Sequence, residues 1–324
     1  MTKTSSNPLN SSPPPKIKNG QKSFAQQLLE PLVLLGPSGV WLLLLLVLPT
    51  LIIFELSLVP NIRPGGIVNP SGLENFCKVF GFEGCLLSKF DPTFLYVIGR
   101  SLFFAFGSTV LCLLLGFPVA YWIAIKAPFR WRNTLLLTFV LPLWTSSLLR
   151  AYAWITILRS SGLLNTILTL PNPFITKLGL QPIPRLELLN DWPAVLIGMV
   201  YGYLPYMVLI LYASLEKLDR RLLEASADLG ANPIQTFWKV TVPQTMPGIV
   251  ASSLLVLIIG LGDFVEPELL GGASSMTVSR LIYNQFLGQT PNWGFGSALS
   301  MVLILGVSIA IALMLKFGDR STQP

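Results

Sequence analysis

The sequence contains no histidine and only three cysteines in 324 residues, and only 11% of its residues are charged. The lack of histidine excludes every Ser-His-Asp triad, every Cys-His pair and every histidine-ligated metal site. Three cysteines alone cannot build a zinc or iron-sulfur site. Most familiar enzyme chemistries are thereby excluded, and we expect that the chain is not itself a catalyst.

A phosphate-binding loop is also missing from the sequence. No G-x-x-x-x-G-K-[ST] motif occurs, and the nearest stretch, Gly20-Gln21-Lys22-Ser23, lacks the adjacent Gly-Lys pair and lies in a tail rich in proline and serine. The chain therefore cannot hold nucleotide phosphates in this manner. We expect that it binds no cofactor and that any ATP is bound by another subunit.

The shortage of charge accompanies an excess of apolar residues. Hydrophobic residues make up 52% of the chain and the mean hydropathy is +0.65, whereas a soluble domain carries roughly a quarter charged residues. Six apolar runs are each long enough to cross a hydrocarbon core of about 30 Å as a helix. The sequence thus predicts an all-α membrane protein with six transmembrane helices. The runs cover residues 32–58, 94–125, 133–158, 192–215, 248–270 and 295–315.

The distribution of basic residues indicates how these helices are oriented. A formal net charge of +7 would suggest a nucleic-acid partner in a soluble protein, but in a membrane protein it usually marks basic cytoplasmic edges. Thirteen of the 22 lysines and arginines lie in the N-terminal tail, the second and fourth connections and the C-terminus, whereas seven lie in the alternate connections. We therefore expect both termini in the cytoplasm, a surrounding lipid bilayer and no nucleic acid.

These assignments divide the chain into three parts. Residues 1–31 are expected to form a disordered cytoplasmic tail, residues 32–315 the transmembrane domain and residues 316–324 the cytoplasmic C-terminus. Cys77 and Cys85 lie in the first outer connection and could form a disulfide there, while the third cysteine lies in a helix. The outer connections are 60–93, 159–190 and 271–294, and the large inner connection is 216–247.

The inner connection 216–247 has the pattern of two short helices joined by a tight turn. Residues 222–229 are good helix formers and end at Gly230, the residue type that best accepts a left-handed C-terminal cap. Asn232 then supplies an N-cap, with Pro233 at the first helical position. The second short helix should end at the prolines that precede the fifth crossing.

The same connection resembles the "EAA" signature of the permease subunits of ABC importers, E-A-A-x3-G-x9-I-x-L-P. The matching residues are Glu224-Ala225-Ser226, Gly230, Val240 and Val242-Pro243, and the spacing of the signature is kept. Three positions depart from the signature, each with a residue of similar size. The alternative interpretation is an amphipathic helix-turn-helix at the protein surface.

The resemblance implies the type I ABC importer permease fold, with a coupling helix between the fourth and fifth transmembrane helices. In that family the coupling helix docks into a cytoplasmic ATPase, so Glu224 would face the ATPase, and small neighbouring residues would permit close approach. The turn behind the helix needs a residue that tolerates positive φ. The residues assigned to ATPase coupling are Glu224, Ala225, Ser226, Ala227, Gly230 and Pro243.

The same resemblance implies a set of partners in the bacterial inner membrane. A cytoplasmic ATPase dimer would hold ATP and magnesium, and an extracytoplasmic binding protein would deliver the substrate. A second permease subunit would complete the pathway, and the resemblance favours a sister chain over an identical one. An ion-gradient-driven carrier and a membrane scaffold are the rival interpretations from other classes of protein.

Residues 141–154 and 262–272 resemble segments of spermidine/putrescine permeases. Glu266 departs from that pattern, in which the position before the proline is more often apolar. Permeases for ferric iron and for aminoethylphosphonate share the subfamily. The resemblance therefore implies a polyamine substrate and leaves those two solutes as alternatives.

Depth in the membrane points to residues of the substrate path. Counted from the cytoplasmic helix ends, Arg150, Asp263 and Glu266 share a depth of about 22 to 27 Å, and the two acids should share one helix face. Carboxylates and aromatic faces suit a polyamine cation. Alternatively, the acids pair with Arg150 and the aromatics are anchors at the lipid interface. The path candidates are Asp263, Glu266, Trp144, Tyr152, Trp154 and Tyr201, and Tyr203 is a further aromatic of this kind.

Overall fold

The computed structural model describes residues 24–60, 62, 72–82, 90–179 and 181–318. Within these ranges every regular element is a helix, apart from one isolated β-bridge. The chain divides into two compact units, Met1–Ile52 and Ile53–Pro324. Most of helix α1 (Phe24–Ser57) belongs to the first unit, and its large apolar side chains from Val40 to Ile52 are exposed, as expected for a helix surrounded by lipid.

Five helical segments are long and apolar enough to cross a membrane. A sixth crossing is obtained only if two segments joined by a bend of 92°, Phe129–Trp144 and Ser147–Thr169, are counted as one. The prediction of an all-α membrane protein is thus confirmed, with five or six crossings in the described part of the chain. The five are Ser38–Ser57, Thr93–Lys126, Trp192–Glu216, Pro233–Gly262 and Trp293–Ala312.

The remaining helices follow one another in the second unit. The first seven are α2 (Glu74–Val79), α3 (Thr93–Tyr121), α4 (Phe129–Val140), α5 (Ser147–Leu158), α6 (Leu163–Thr169), α7 (Asn172–Lys177) and α8 (Trp192–Glu216). The next six are α9 (Arg220–Asp228), α10 (Pro233–Thr236), α11 (Val242–Gly262), α12 (Val265–Leu269), α13 (Val278–Leu287) and α14 (Trp293–Gly318). Two π turns, Trp122–Lys126 and Phe237–Thr241, extend α3 and precede α11.

Helices α3, α8 and α11 pack against one another and form the main core. Its buried side chains include Phe104, Met199 and Leu211. Because lipid tails are as apolar as leucine, burial alone holds such helices together weakly, and close packing has to contribute. Small residues that are fully buried, such as Ala105 and Ala120 on α3, allow this close approach. A smaller cluster packs α14 against α2 and α13.

Some predictions fall on residues outside the described ranges. They concern most of the predicted tail, the last six residues and the disulfide between Cys77 and Cys85. The disulfide is included because residue 85 lies outside the described ranges. The disulfide therefore stays a prediction. Residues 24–31, which we expected in the tail, belong to α1. Cys112 is buried in α3 and free.

The third apolar run, which we expected as one crossing over 133–158 with its helix interrupted at Pro142, is broken and bends by 92°. Thr145 and Ser146 are non-helical, and the chain bends there. Pro142 contributes to the break because it has no backbone N–H to donate. Its carbonyl accepts hydrogen bonds from Thr145 Oγ1 at 2.7 Å and from Arg150 Nη1 at 3.0 Å. Side chains close to the bend thus supply donors to the backbone.

The fifth apolar run is also interrupted, although at a different place than predicted. The helix is continuous from Pro233 to Gly262. The π turn Phe237–Thr241 comes directly before Pro243, which lies in the first turn of α11. A missing N–H is tolerated in the first turn of an α-helix, so the proline does not break the segment. The predicted break at the prolines is wrong. The actual break follows Gly262, where Asp263 is extended and α12 begins two residues later. Asp263 and Glu266 therefore do not share one helix face, which corrects that expectation.

Two side chains satisfy the backbone at this second break. In an unbroken helix the N–H of Val265 would bond to the carbonyl of Leu261. Instead, the N–H of Val265 donates to Asp263 Oδ1 at 2.9 Å, and the hydroxyl of Ser279 donates to the Leu261 carbonyl. Lipid cannot form hydrogen bonds with free backbone groups. Because Ser279, in the first turn of α13, donates to the free Leu261 carbonyl, the helix can break after Gly262 within the membrane.

Arg280, in the same turn of α13, stabilises the chain after the break. Its guanidinium pairs with Glu268 and donates to the carbonyls of Pro267 at 3.1 Å and Gly272 at 3.0 Å. The Arg280 side chain is only 14% exposed. The end of a helix leaves carbonyls without intrahelical partners and favours a cation. Arg280 therefore fixes α12 and the residues that follow it.

Replacing Arg280 by glutamine should destabilise the protein, because carbonyls near the end of α12 lose a donor and Glu268 loses its ionic partner. Because Arg280 is 14% exposed and Glu268 35%, we expect a loss of about 2 kcal/mol, between the values for surface and buried ion pairs. The unfolding temperature of the purified protein in detergent would report this loss. Arg159→Gln is the matched control, since Arg159 is exposed. Equal shifts in both variants would contradict the proposed role of Arg280.

Candidate functional site

The loop between α8 and α10 contains the short helix and tight turn that the sequence predicts. Asp219 caps α9, since its carboxylate accepts the N–H of Arg221 at 3.0 Å. Gly230 has a φ of +81°, and the N–H of Ala231 reaches the Ser226 carbonyl at 3.0 Å. Because only glycine adopts this conformation at little cost, Gly230 fixes the direction in which the chain leaves α9.

The second short helix is fixed by a reciprocal cap and by a bond to the first. Asn232 Oδ1 accepts the N–H of Gln235 at 2.8 Å, and Gln235 Oε1 accepts the N–H of Asn232 at 3.1 Å. Ser226 is buried, and its hydroxyl lies 2.8 Å from the hydroxyl of Thr236. The serine that departs from the signature therefore joins α9 to α10.

The predicted coupling residues are mostly at the surface of this helix-turn-helix. Glu224, Ala225, Ala227, Gly230 and Pro243 are exposed, whereas Ser226 is buried. Three large apolar residues that the sequence analysis did not single out follow α9: Leu229 is 88% exposed, Ile234 71% and Trp238 64%. Large apolar residues in a connection between two crossings are the sequence feature that could have identified this surface. Exposed apolar groups next to a rigid turn suit a protein partner.

A second cluster of functional groups borders a cavity of about 260 Å³ at the break after α11. The cavity brings Arg150 of α5 and two tyrosines of α8, Tyr203 and Tyr206, together with Asp263 and Glu266. The three charged residues that the sequence placed at one depth thus line one cavity. Its wall is completed by Ser147, Gly202, Ile259, Gly262, Phe264 and Val265.

The two acids of the cavity are held in different ways. Asp263 accepts the hydroxyl of Tyr203 on Oδ2 and the N–H of Val265 on Oδ1. Glu266 lies deeper, and only 5% of it is exposed. A Cβ added at Gly198 of α8 would lie 2.5 Å from Leu270 Cδ1 and 3.2 Å from Glu266 Cγ. A larger residue at that position would therefore force the side chains of Leu270 and Glu266 to shift.

Arg150 borders the same cavity. Its Nη1 donates to the Pro142 carbonyl at 3.0 Å, and its Nε is buried without a hydrogen-bond partner. Across the described ranges, no ion pair joins Arg150 to Asp263 or Glu266. In the same ranges, no three acidic or cysteine side chains are grouped closely enough to hold a metal ion. Two acidic side chains and one guanidinium therefore border the cavity, and ionisable side chains within a membrane commonly mark a substrate or ion path.

The four aromatic candidates lie outside the lining of the cavity. Trp144 and Tyr152 are largely exposed. Trp154 and Tyr201 pack edge to face, with ring centroids 5.5 Å apart. The aromatic part of the lining consists of Phe264 and two tyrosines spaced i, i+3 on α8, of which Tyr203 was named from the sequence and Tyr206 was not. That spacing is the signal that could have identified Tyr206.

Comparison with known proteins relates this architecture to a family. Residues 116–320 match the family described as binding-protein-dependent transport system inner membrane component. Over 283 residues the chain is 38% identical to a spermidine/putrescine transport system permease protein of Haemophilus influenzae, covering 87% of this chain and 91% of the relative. It is 37% identical to the permease protein of that description from Escherichia coli, covering 87% of this chain and 94% of the relative.

A solved structure supports the fold. A chain from the crystal structure of a bacterial alginate ABC transporter, in complex with its periplasmic protein, superimposes with a TM-score of 0.67. The two chains are 17% identical, and the match covers 93% of this chain and 99% of the other. At that identity the likeness concerns the fold alone. The family match extends over more than half of the chain and the permease relatives over most of it, so this multi-pass protein belongs to the inner membrane components of binding-protein-dependent transport systems.

Proposed function

We propose that this chain is one of two membrane subunits of an ATP-driven importer for polyamines, with spermidine or putrescine as the solute. The observation that carries the proposal is the 38% identity to a spermidine/putrescine permease over 87% of the chain. The cavity adds chemical support, because two acidic side chains and two tyrosines can bind ammonium groups.

In this proposal α9 and the turn behind it couple the membrane helices to a cytoplasmic ATPase. Glu224 faces the ATPase, and the exposed apolar residues Leu229, Ile234 and Trp238 contribute contact area. When two ATPases close around ATP, the docked helices move and tilt the crossings, and hydrolysis reverses the movement. ATP and magnesium are bound by the partner, so this chain is a transport subunit and not an enzyme.

Two crossings connect the loop with the cavity. Helix α8 carries Tyr203 and Tyr206 and ends at the loop, while α11 begins beyond the loop and ends at Gly262, directly before Asp263. The 21 residues of α11 cover about 31 Å as a helix. Movement of the loop would therefore reach the cavity through rigid helices, which transmit displacement better than a flexible chain.

The proposed topology follows from placing the loop in the cytoplasm. Both termini are then cytoplasmic if the bent pair counts as one crossing, and the cavity lies toward the outer surface. An extracytoplasmic binding protein would deliver the polyamine there. The second membrane subunit is proposed to be a sister permease with its own coupling helix.

Co-purification and reconstitution would test this function. The tagged permease should retain an ABC ATPase and a second permease, and uptake of labelled spermidine or putrescine should stop when the ATPase Walker lysine is mutated. Uptake of ferric iron or aminoethylphosphonate instead would reassign the solute. Uptake that survives the ATPase mutation would favour a secondary carrier, and the absence of any flux would favour a scaffold.

Gly230→Leu should abolish ATP-dependent uptake while leaving membrane insertion intact. A leucine at a φ of +81° is strained by about 1 to 2 kcal/mol, so the turn would relax and displace α10 from α9. The matched control is Gly230→Asn, since asparagine tolerates this backbone region, and it should retain most of the uptake. Full uptake by the leucine variant would contradict the coupling role.

The double variant Asp263→Asn and Glu266→Gln should weaken polyamine transport with little effect on folding. Both replacements keep the shape of the side chain, and the amide oxygen introduced at position 263 can still accept the N–H of Val265. Loss of the two acidic groups should raise the KM for spermidine about tenfold, equivalent to about 1.4 kcal/mol. Glu187→Gln removes an exposed carboxylate outside the cavity and should not change KM. An unchanged KM in the double variant would leave the two acids with a structural role.

A further inference from the structure

An apolar stripe runs along one face of α6, α7 and the residues next to them. Five large apolar side chains recur at intervals of three or four residues, which is the repeat of one helix face. Each is more than half exposed, although the segment is a connection between crossings. The stripe consists of Leu163 (60% exposed), Ile167 (58%), Leu170 (69%), Phe174 (70%) and Leu178 (61%).

The opposite face of these helices is fixed to the rest of the protein. The side chain of Asn165 donates to the carbonyl of Leu186 at 2.9 Å and accepts its N–H at 2.8 Å. Asn172 makes the same pair of bonds with Ile183, at 3.0 and 2.8 Å. Leu164 packs against the main core. Since these three side chains hold one face, the apolar stripe is directed away from the protein.

The bend before α5 indicates how this segment lies relative to the membrane. Ser147–Thr169 makes an angle of 92° with Phe129–Trp144. If α4 runs along the membrane normal, α5 and α6 therefore run along the membrane plane. Helix α8 starts shortly after the segment and ends at the 220–241 loop, and its 25 residues place about 37 Å between them. That separation exceeds the hydrocarbon core of about 30 Å and therefore places the two ends of α8 in opposite headgroup regions, if α8 runs along the membrane normal.

The charges around the stripe are those of a helix at a lipid surface. Arg159, Lys177 and Arg185 are all exposed, and no acidic residue occurs from 159 to 186. Arg185 lies between the two backbone positions that the asparagines bind. Helices that lie in a membrane interface combine apolar side chains on one face with basic residues that meet anionic headgroups.

We propose that residues 163–178 lie in the headgroup region of the leaflet opposite the 220–241 loop, with the apolar stripe turned toward the acyl chains. The occupant of this surface is lipid. The two asparagines tie the segment to residues 183–186, which lead into α8. Lipid contact therefore holds that end of α8 at a fixed depth while the loop at its other end is free to move. The inference depends on the membrane location of the family and not on the identity of the solute.

Spin labels would test the depth of the stripe in the full-length permease, assembled with its partner subunits. A cysteine is introduced singly at Leu170, Phe174 or Thr176 and labelled with a nitroxide, in nanodiscs of phosphatidylethanolamine and phosphatidylglycerol. Thr176 is the matched control, because it is exposed on α7 but lies off the stripe. The protein without an introduced cysteine, labelled in parallel, gives the background from the native cysteines.

Oxygen partitions into lipid, whereas a nickel chelate stays in water, so their relaxation effects report the surroundings of each label. We expect the ratio of oxygen to nickel accessibility at 170 and 174 to be several-fold higher than at 176. A ratio as low as that of 176 would place the stripe in water and overturn the proposal. Low accessibility to both reagents at 170 and 174 would show that a protein partner covers the stripe, and would also overturn it.

Discussion

A helix that breaks inside a membrane leaves backbone groups that lipid cannot satisfy, and this constraint organises the structure around Gly262. The N–H of Val265 and the carbonyl of Leu261 would bond to each other in an unbroken helix. Here the carboxylate of Asp263 accepts the N–H of Val265, and the hydroxyl of Ser279 donates to the carbonyl of Leu261. Asp263 therefore has a structural task as well as a place in the cavity, and α13 must lie where it does for the cavity to exist.

The same constraint explains which parts of the fold could be predicted. Long apolar runs and basic connections follow from composition, and Gly230 and Asn232 carry local signals for a turn and a cap that the structure contains. Of the two helix breaks, the first carries a local signal in Pro142, whereas the position of the second depends on contacts with residues distant in sequence. Pro243 looked like a break and is accommodated in a helical first turn, whereas the break after Gly262 depends on Ser279, which is distant in sequence.

For the cavity as well, the level of single residues could be predicted from the sequence, whereas contacts between distant residues could not. Depth counting placed Arg150, Asp263 and Glu266 at one level, and all three line the cavity although the helix is broken before each of them. It could not show that Asp263 bonds to Tyr203, since that contact depends on how α8 is rotated about its axis. Residue type does not show which aromatic side chains reach the cavity, so Tyr206 was not identified from the sequence while the exposed Trp144 was included.

Helix α3 provides a further route between the loop and the core. Its π turn, Trp122–Lys126, and the π turn before α11, Phe237–Thr241, occur at the same end of the bundle, and such turns are frequent at functional sites. Phe237 packs edge to face on Phe117 and Tyr121 of α3, with ring centroids 5.4 and 5.8 Å apart. A movement of α10 would therefore displace α3 as well as α11. Because α3, α8 and α11 form one packed core, they would respond together, and the cavity between α8 and the end of α11 would change shape as a consequence.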